Sequence, residues 1–316
     1  MKYRTVSRPL AAVLLSFALA GCAPAQGAAA PEVEAPGLTV TDMKGNVLTL
    51  DQPARRIVTL AAGDCEILCA IGGEDLLAGR GEYCDYPASV SAVPVVQSGS
   101  ETNLEQILAL SPDIVVANVM DQTEEQFDAL CAAGVPVALT DANTVSEVYD
   151  NIRLLGAVAG RTAEADALIK DMEARFAALK KQSAGREPLS AYYEVSPLEY
   201  GLWTAGTGSF LDEIGSLSGL TNAFSDAGAW AEVSEEQVLA RNPEVIVTVS
   251  MYFGEGPTPA EEICGRPGWE GVSAVRDGRV FTIDGNAAAR PGPRLADAAE
   301  ALYALLEQAE ASDAAA

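Results

Sequence analysis

The sequence predicts an α/β protein of two similar lobes, each a mainly parallel sheet flanked by helices. One long linking helix joins the lobes, and a ligand cleft lies between them. Two observations predict this fold. Apolar, β-branched runs alternate with helical patterns in both halves of the chain. One phrase also occurs in each half, as LEQILALSPDIVVA at 104–117 and EEQVLARNPEVIVT at 235–248.

The first lobe is predicted to span residues 37–160. Its first clear strand is RRIVTLA at 55–61, and a helix follows from Asp64 to about Ile71, where two glycines stop it. The alternation continues through LLAGR, PVVQS, the helix NLEQILALS, the strand DIVVA, the helix TEEQFDALCAAG and the strand PVAL. Strands that alternate with helices predict a parallel sheet covered on both faces.

Two consecutive helical patterns separate the halves. The first runs from Thr144 to Gly160, and Thr162 is placed to cap the second. We expect residues 161–185 to form the linking helix, about 30 Å long at 1.5 Å per residue. Such a rod joins two bodies stiffly.

The second lobe is predicted to span residues 186–311 and repeats the pattern. Its elements are LSAYYEV, a helix FLDEIGSLSG after the turn TAGTGS, the helix SEEQVLARN, the strands EVIVTV and RVFTI, and a helix from Arg294 to about Glu310. Both copies of the repeated phrase carry an N-cap residue, a glutamine three residues later and a proline after the helix, at Asn103, Gln106 and Pro112 and at Ser234, Gln237 and Pro243.

The amino terminus carries the pattern of an export signal. Residues 1–21 combine three basic residues with the apolar run LAAVLLSFALA and end before Cys22. Leu-Ala-Gly-Cys resembles a bacterial lipobox, so we expect Cys22 to carry a lipid. Residues 22–36, rich in Ala, Pro and Gly, are then a flexible tether. The folded part is expected outside the cytoplasm, anchored to the cell membrane.

Charge and composition exclude several classes of function. The formal charge is −25, and cleavage before Cys22 takes it to −28, because it removes three basic and no acidic residues. The basic residues form no cluster, which argues against nucleic acid as a partner. The chain contains no histidine, so Ser-His-Asp and Cys-His catalysis are excluded. The composition does not exclude a hydrolase that uses two catalytic carboxylates.

Five cysteines follow Cys22, namely Cys65, Cys69, Cys84, Cys131 and Cys264. An odd number leaves at least one thiol free, and the sequence leaves the pairing open. Cys65 and Cys69 are one helical turn apart, yet nothing nearby completes four metal ligands. We expect buried thiols without a metal.

Four aromatic residues and one arginine are candidates for ligand binding. Tyr83, Tyr86, Trp203 and Trp230 lie at the edges of predicted strands and helices, where they form either a shared apolar wall or parts of the core. Arg290, in a Gly/Pro loop, suits carboxylate, phosphate or amide oxygens of a ligand, whereas Arg294 fits a structural role at a helix start. The turn TAGTGS is either an anion site or a plain tight connection.

These phrases together resemble the class III extracytoplasmic binding proteins of ABC importers, the group that serves vitamin B12 and ferric siderophores. The matching segments run in family order and include GEYCDYP, WTAGTGSFLDEIGSLSG, WAEVSEEQVLARNPEVIV, GRPGWEGVSAVRDGRVFTID and RPGPRL. The resemblance implies a small lobe movement, with an ABC permease and its ATPase as partners. It also implies that Glu105 and Glu236 dock on permease arginines. The alternative for both is a solvated carboxylate at a helix start.

The resemblance also suggests the ligand. Tyr83, Trp203, Trp230 and Arg290 fall where the vitamin B12-binding member has Tyr, Phe, Trp and Arg in contact with the corrinoid. Three positions depart from that member, since Gly99 and Asn118 replace tryptophans and Asn286 replaces an aspartate. We therefore expect a ligand site whose first-lobe wall is thinner than in that member. Its residues are Tyr83, Trp203, Trp230, Asn286 and Arg290.

The sequence thus predicts a monomeric, non-enzymatic receptor without a resident cofactor, which captures a cobalt corrinoid or a ferric chelate. A ferric siderophore is the alternative ligand, and haem is less favoured because no histidine is present to bind the iron. An exported carboxylate-based hydrolase is an alternative of another class and predicts two acidic residues facing each other in the groove. A purely structural surface protein predicts no stabilisation by a ligand.

Overall fold

Two separate sheets, one in each half of the chain, form the framework of the computed structural model, which describes residues 37–120, 122–250 and 256–313. The predicted signal peptide, the lipidation residue Cys22 and the tether lie outside the described residues. Within those ranges, no helix combines the length and the apolar character that crossing a membrane requires.

A short antiparallel hairpin of β1 (Leu38–Thr41) and β2 (Val47–Leu50) precedes the first sheet. Asp42 builds its turn, because one carboxylate oxygen accepts from the backbone N–H groups of Lys44 and Asn46 at 3.0 and 2.8 Å. The other oxygen accepts from the N–H of Leu139 at 3.1 Å, which ties the hairpin to the first sheet. Alternation of strand and helix does not reveal these strands, since no helix separates them.

The first sheet is wholly parallel, as predicted. Its strands are β3 (Ile57–Thr59), β4 (Leu77–Gly81), β5 (Val95–Val96), β6 (Ile114–Asn118) and β7 (Val137–Thr140). They lie in the order β5-β4-β3-β6-β7. The accompanying helices are α1 (Ala62–Ala70), α2 (Leu104–Ala109), α3 (Glu124–Ala132) and α4 (Val145–Val158).

Helix α1 begins two residues before the predicted start at Asp64. Asp64 is buried inside its first turn and does not cap it. Its two carboxylate oxygens accept hydrogen bonds from Thr140 Oγ1 at 2.9 Å and Asn151 Nδ2 at 2.7 Å. The side chain therefore ties α1 to β7 and α4, which explains why it is not free to cap its own helix.

The predicted linking helix is α5 (Thr162–Gln182), whose 21 residues span about 30 Å. Its buried stripe confirms the helical spacing read from the sequence: Ala165, Ile169, Met172, Phe176 and Leu179. The predicted capping role of Thr162 is wrong, because Thr162 is already helical and Arg161 takes the N-cap position without a side-chain bond.

The second sheet is parallel at its centre and antiparallel at one side. Its strands are β8 (Leu189–Glu194), β9 (Leu202–Ala205), β10 (Leu220–Asn222), β11 (Trp230–Val233), β12 (Val245–Thr248) and β13 (Val280–Thr282). The order is β11-β9-β8-β12-β13, with β10 also paired to β8. Strands β8, β10, β12 and β13 pair in parallel, whereas β9 runs antiparallel to both β8 and β11.

In the part of the chain that the structure describes, six helices accompany the second sheet. They are α6 (Phe210–Leu217), α7 (Glu235–Arg241), α8 (Pro259–Cys264), α9 (Ser273–Arg276), α10 (Gly285–Ala288) and α11 (Leu295–Asp313). The last of these packs against α5 and α6.

The repeated phrase folds in nearly the same way in both lobes. Asn103 Oδ1 accepts from the N–H of Gln106 at the start of α2, and Ser234 Oγ accepts from the N–H of Gln237 at the start of α7. Of these two helices, only α7 also has the return bond of a capping box, which runs from the N–H of Ser234 to Gln237 Oε1. In the first lobe Gln106 Oε1 accepts from the N–H of Gln97 instead, because that loop passes within reach.

The repeat extends to the backbone after each helix. Among the described residues, Ser111 and Asn242 are the two non-glycine residues with positive φ, at 47° and 45°. Each precedes a proline, which cannot continue a helix, and each leads into a central strand, β6 or β12. The strands also take equivalent places, since β6 lies between β3 and β7 and β12 lies between β8 and β13.

The apolar core joins the lobes. One cluster of buried residues contains side chains of both halves together with α5 and α11, while two smaller clusters lie within one lobe each. The lobes are therefore packed through shared helices. The exact lobe boundaries at residues 160 and 186 stay a prediction.

Candidate functional site

A cavity of about 440 Å³ lies between the two sheets and takes its lining from both lobes. Several lining residues directly follow or end a parallel strand, namely Leu60 after β3, Asn118 at the end of β6, Asp141 after β7 and Val195 after β8. This placement is typical of open α/β sheets, whose ligands bind at the carboxyl ends of the strands. A volume of this size is typical of a small-molecule site.

Trp230 lines the cavity from the second lobe and is fixed by the first. Its indole Nε1 donates to Asn143 Oδ1 at 2.9 Å. Its ring packs edge-on against Phe210, with ring centroids 5.2 Å apart. The backbone carbonyl oxygen of Asn143 accepts a second hydrogen bond, from the backbone N–H of Phe210. One asparagine thus orients two aromatic residues of the other lobe.

Arg290 lines the cavity from the second lobe and belongs to a cluster of charges that crosses between the lobes. Its Nη1 donates to Asp85 Oδ1 at 2.6 Å and to Glu66 Oε1 at 3.1 Å. The Glu66 side chain is only 1% exposed, and Arg294 donates to both of its oxygens, at 2.8 and 2.6 Å. We call Glu66, Asp85, Arg290 and Arg294 the arginine cluster.

Within the arginine cluster, the pairing of Arg290 with Asp85 favours the charged forms of both residues. Burial disfavours the positive charge of Arg290, but hydrogen bonds to Asp85 and Glu66 outweigh it and raise the pKa of Arg290. The bond from Arg290 in turn lowers the pKa of Asp85. The cavity therefore carries a permanent guanidinium.

Tyr83 lines the cavity from a loop of the first lobe and is 70% exposed. Two arginines of the second lobe hold this loop, because Arg290 binds Asp85 and the guanidinium of Arg294 lies 4.2 Å from the ring centre of Tyr86. Tyr86 thus has a cation–π contact rather than a place in the cavity lining.

Two predicted ligand residues are not part of the cavity lining. Trp203 lies on β9 with its side chain 39% exposed, and its carbonyl oxygen accepts from the N–H of the lining residue Val195 at 3.0 Å. Asn286 lies in α10, where its backbone is held by Asp284 and Arg294. The structure therefore brings Tyr83, Trp230 and Arg290 together and leaves Trp203 and Asn286 outside the lining.

Two carboxylates line the cavity that the sequence analysis did not include in the site, Asp64 and Asp141. Both already have partners in the first lobe, since Asp64 accepts from Thr140 and Asn151, and Asp141 pairs with Lys44 at 3.1 Å. Among the described residues, no group of three or more His, Cys, Asp or Glu side chains is arranged to hold a metal ion.

The predicted docking residues lie on helix starts. Glu105 and Glu236 are both exposed, in the first turns of α2 and α7. Hydrogen bonds from its own backbone N–H and from Ser234 lower the pKa of Glu236. Its neighbour Glu235 is engaged within the protein, because its carboxylate accepts a hydrogen bond from Nε1 of the buried Trp269 at 2.8 Å. Glu236 is thus the carboxylate of this turn that faces solvent.

Comparison with known proteins gives consistent results. The family model described as "Periplasmic binding protein" matches residues 57–287. The chain is 30% identical over 302 residues to the uncharacterized ABC transporter substrate-binding lipoprotein YvrC of Bacillus subtilis, which covers 92% of this chain and 94% of that protein. It is also 30% identical over 260 residues to the vitamin B12-binding protein of Vibrio cholerae serotype O1, covering 82% and 91%.

The fold is similar to solved structures as well. The crystal structure of the periplasmic vitamin B12 binding protein BtuF of Vibrio cholerae aligns with a TM-score of 0.67 at 29% identity, covering 82% of this chain and 98% of that one. Its two-lobed α/β architecture is the one described above.

Proposed function

Because this chain belongs to the periplasmic binding protein family, we propose that it captures a corrinoid outside the cytoplasm and delivers it unchanged to an ABC permease. As a family member the chain is the substrate-binding component of an ABC importer, a class that works with a membrane permease and an ATPase. Its relatives are binding proteins rather than enzymes. Beyond this family role, we propose the corrinoid as ligand, the residues that dock on the permease and the lipid anchor.

The observation that carries the ligand proposal is a cavity with aromatic residues from both lobes and a guanidinium at its edge. Tyr83 of the first lobe and Trp230 of the second lobe line one space with Arg290. Aromatic faces suit a large flat ligand, and a guanidinium suits the amide oxygens at its rim. A corrinoid combines both features, and the Vibrio cholerae relative and the Vibrio cholerae structure above are both named for vitamin B12.

Residues at the cavity rim extend this surface. Tyr83 is 70% and Met120 is 74% exposed, and both also line the cavity. We retain Trp203, beside Val195, and Asn286, beside the arginine cluster, as contacts for the parts of a large ligand that reach beyond the cavity. A ligand of this size would be held at its centre by both lobes and at its edges by these side chains.

Delivery is assigned to the two exposed helix starts. Glu105 and Glu236 occupy equivalent places in the two lobes, so they present one carboxylate per lobe to a partner with matching positive charges. Membrane attachment is assigned to a lipid on Cys22. The family description is periplasmic and the Bacillus subtilis relative is named a lipoprotein, which supports a location outside the cytoplasm.

Thermal unfolding with a panel of ligands tests the ligand proposal. Purified residues 37–316 are heated alone and with cyanocobalamin, a ferric hydroxamate siderophore or haem. A ligand at 100 times its dissociation constant stabilises by about 2.7 kcal/mol, so cyanocobalamin is expected to raise Tm by about 5 °C or more. A shift with the ferric siderophore and none with any corrinoid would overturn the ligand and keep the family.

A further inference from the structure

Three side-chain amides of the first lobe line the cavity, those of Asn118, Gln122 and Asn143. Asn118 ends β6, Gln122 lies four residues further along the chain, and Asn143 lies three residues after β7. All three therefore follow or end neighbouring parallel strands at the edge of the sheet where ligands bind. Each amide has two N–H donors and one carbonyl acceptor. We call these three residues the amide wall.

The amide of Gln122 has no hydrogen-bond partner among the described residues, at either Oε1 or Nε2. The residue is only 7% exposed, so bulk water has little access to it. A buried polar group without a partner is costly, and other protein groups usually remove that cost. Because Gln122 lines the cavity, a molecule bound there is the remaining source of partners.

The two asparagines of the amide wall add further donors. Oδ1 of Asn118 accepts from a backbone N–H at 2.9 Å, while its Nδ2 makes a long bond of 3.4 Å to Thr140. Asn143 is similar, since its Oδ1 accepts from Trp230 and its Nδ2 lies 3.4 Å from Asp141. Among the described residues, each asparagine thus has its acceptor engaged and one amide N–H left for a ligand.

The charges around the amide wall do not suit a negatively charged group. The acidic residues Asp64 and Asp141 line the cavity from the same lobe as the amides, whereas Arg290 lines it from the other lobe. Arg290 is already paired with two carboxylates of the protein, and Lys44 is paired with Asp141. A ligand carboxylate at the amide wall would lie near acidic side chains without a cation of its own. A neutral carboxamide avoids this cost.

We propose that Gln122 recognises a carboxamide side chain of the ligand and that Asn118 and Asn143 donate to its neighbouring groups. This inference rests on the proposed function and narrows it to corrinoids whose peripheral side chains are amides rather than carboxylic acids. Nε2 of Gln122 donates to the carbonyl oxygen of the ligand amide, and Oε1 accepts from its N–H. A carboxylate provides only the first of these two bonds, because it has no N–H to donate.

Calorimetric titration of the full chain with matched ligands tests the choice of amide over acid. The ligands are cyanocobalamin and its b-, d- and e-monocarboxylic acids, each with one propionamide replaced by propionate. At neutral pH we expect at least one acid to bind at least about tenfold more weakly than cyanocobalamin. Equal binding of all four ligands would overturn this inference and leave the proposed function intact. Absence of cyanocobalamin binding would overturn both.

The Gln122→Met variant separates recognition from a structural role. Methionine is similar in size and has no amide, so it removes the buried donor and acceptor that lack partners. We expect Tm to stay equal or rise, the affinity for cyanocobalamin to fall at least about fivefold, and the preference for amide over acid to disappear. Because the substitution leaves the charge of the chain unchanged, a preference caused by overall charge would persist in the variant.

The matched control is Gln182→Met, which changes an exposed glutamine at the end of α5, outside the described cavity lining. It should match the wild type in affinity and in preference. A Gln122→Met protein that keeps both the wild-type affinity and the preference would overturn the assignment. A fall in Tm with an unchanged preference would show that Gln122 supports the fold rather than recognising the ligand.

Discussion

At the scale of single residues, Glu66 forms ion pairs that connect the two lobes. It is 1% exposed on α1, yet its partners Arg290 and Arg294 both belong to the second lobe. Burying a carboxylate is costly unless it is paired, and here two guanidinium groups pair with it. The same residue holds Arg290, the charged donor of the cavity. Glu66 is therefore a positioning residue for the proposed ligand site.

Replacing Glu66 tests this role. Glu66→Gln leaves two arginines, 14% and 12% exposed, without their shared carboxylate, which is expected to cost about 2–4 kcal/mol of stability. Urea unfolding measures this loss. The matched control is Asp284→Asn, because Asp284 is 62% exposed and 3.4 Å from Arg294. A Glu66→Gln protein as stable as the control would show that the cluster does not stabilise the fold.

The pair of Asp85 and Arg290 predicts a small pH dependence. The pKa of Asp85 is lowered in the folded protein by its hydrogen bond from Arg290, so the bond stabilises above the unfolded pKa of about 3.9 and is lost as pH falls through the lower folded value. Asp85 is 55% exposed, which limits the effect to about 0.5 kcal/mol.

Melting temperatures of wild type and Asp85→Asn between pH 2 and 7 check this expectation. The wild type should melt slightly higher at pH 7, and the two curves should converge at the acidic end. A difference that persists unchanged at pH 2 would mean that the ionised carboxylate is not responsible.

At the scale of elements, the repeated phrase positions one exposed glutamate per lobe. Helices α2 and α7 begin with an N-cap residue, are followed by a residue with positive φ before proline, and lead into equivalent strands. These local signals fix the start of each helix and therefore the place of Glu105 and Glu236. The equivalence of the two glutamates is a property of the element rather than of either residue.

Replacing both glutamates tests the docking role. Glu105→Ala with Glu236→Ala is expected to abolish uptake of labelled cyanocobalamin by cells and to leave the affinity of the purified protein unchanged. Glu164→Ala is the matched control, because Glu164 is also exposed in a first helical turn, on α5. Uptake at the wild-type rate, or a loss of affinity, would contradict the docking proposal.

Sequence patterns predicted those elements whose signals are local. Caps, apolar stripes and strand alternation identified the parallel strands and the long helices. The parallel strand β10 was missed because its residues, Leu-Thr-Asn, lack the apolar, β-branched run that marks the equally short β3 and β13. The site depends on tertiary pairing, since Asn143 meets Trp230 and Glu66 meets Arg290 across 87 and 224 residues of sequence. Pairs so far apart in sequence leave no local pattern, so Asn143 and Glu66 were not predicted as site residues.

At the scale of the whole molecule, the lobes are tied together on more than one side of the cavity. Asn143 holds Trp230 and Phe210, and Glu66 holds the two arginines. A third bond runs from the N–H of Val145 to Glu213 Oε2 at 2.8 Å. With a core shared through α5 and α11, these contacts limit the relative movement of the lobes. Binding is therefore expected to need little rearrangement.

The proposed function requires both lobes to contact one bound corrinoid. Calorimetric titration of cyanocobalamin into wild type, Tyr83→Ala and Trp230→Ala tests it directly, with Tyr200→Ala as control because Tyr200 is 73% exposed and does not line the cavity. We expect one corrinoid per chain and a loss of at least about fivefold in affinity for each cavity variant, equal to about 1 kcal/mol. Absence of binding by the wild type, or a loss of affinity in only one of the two cavity variants, would show that the lobes do not share a corrinoid.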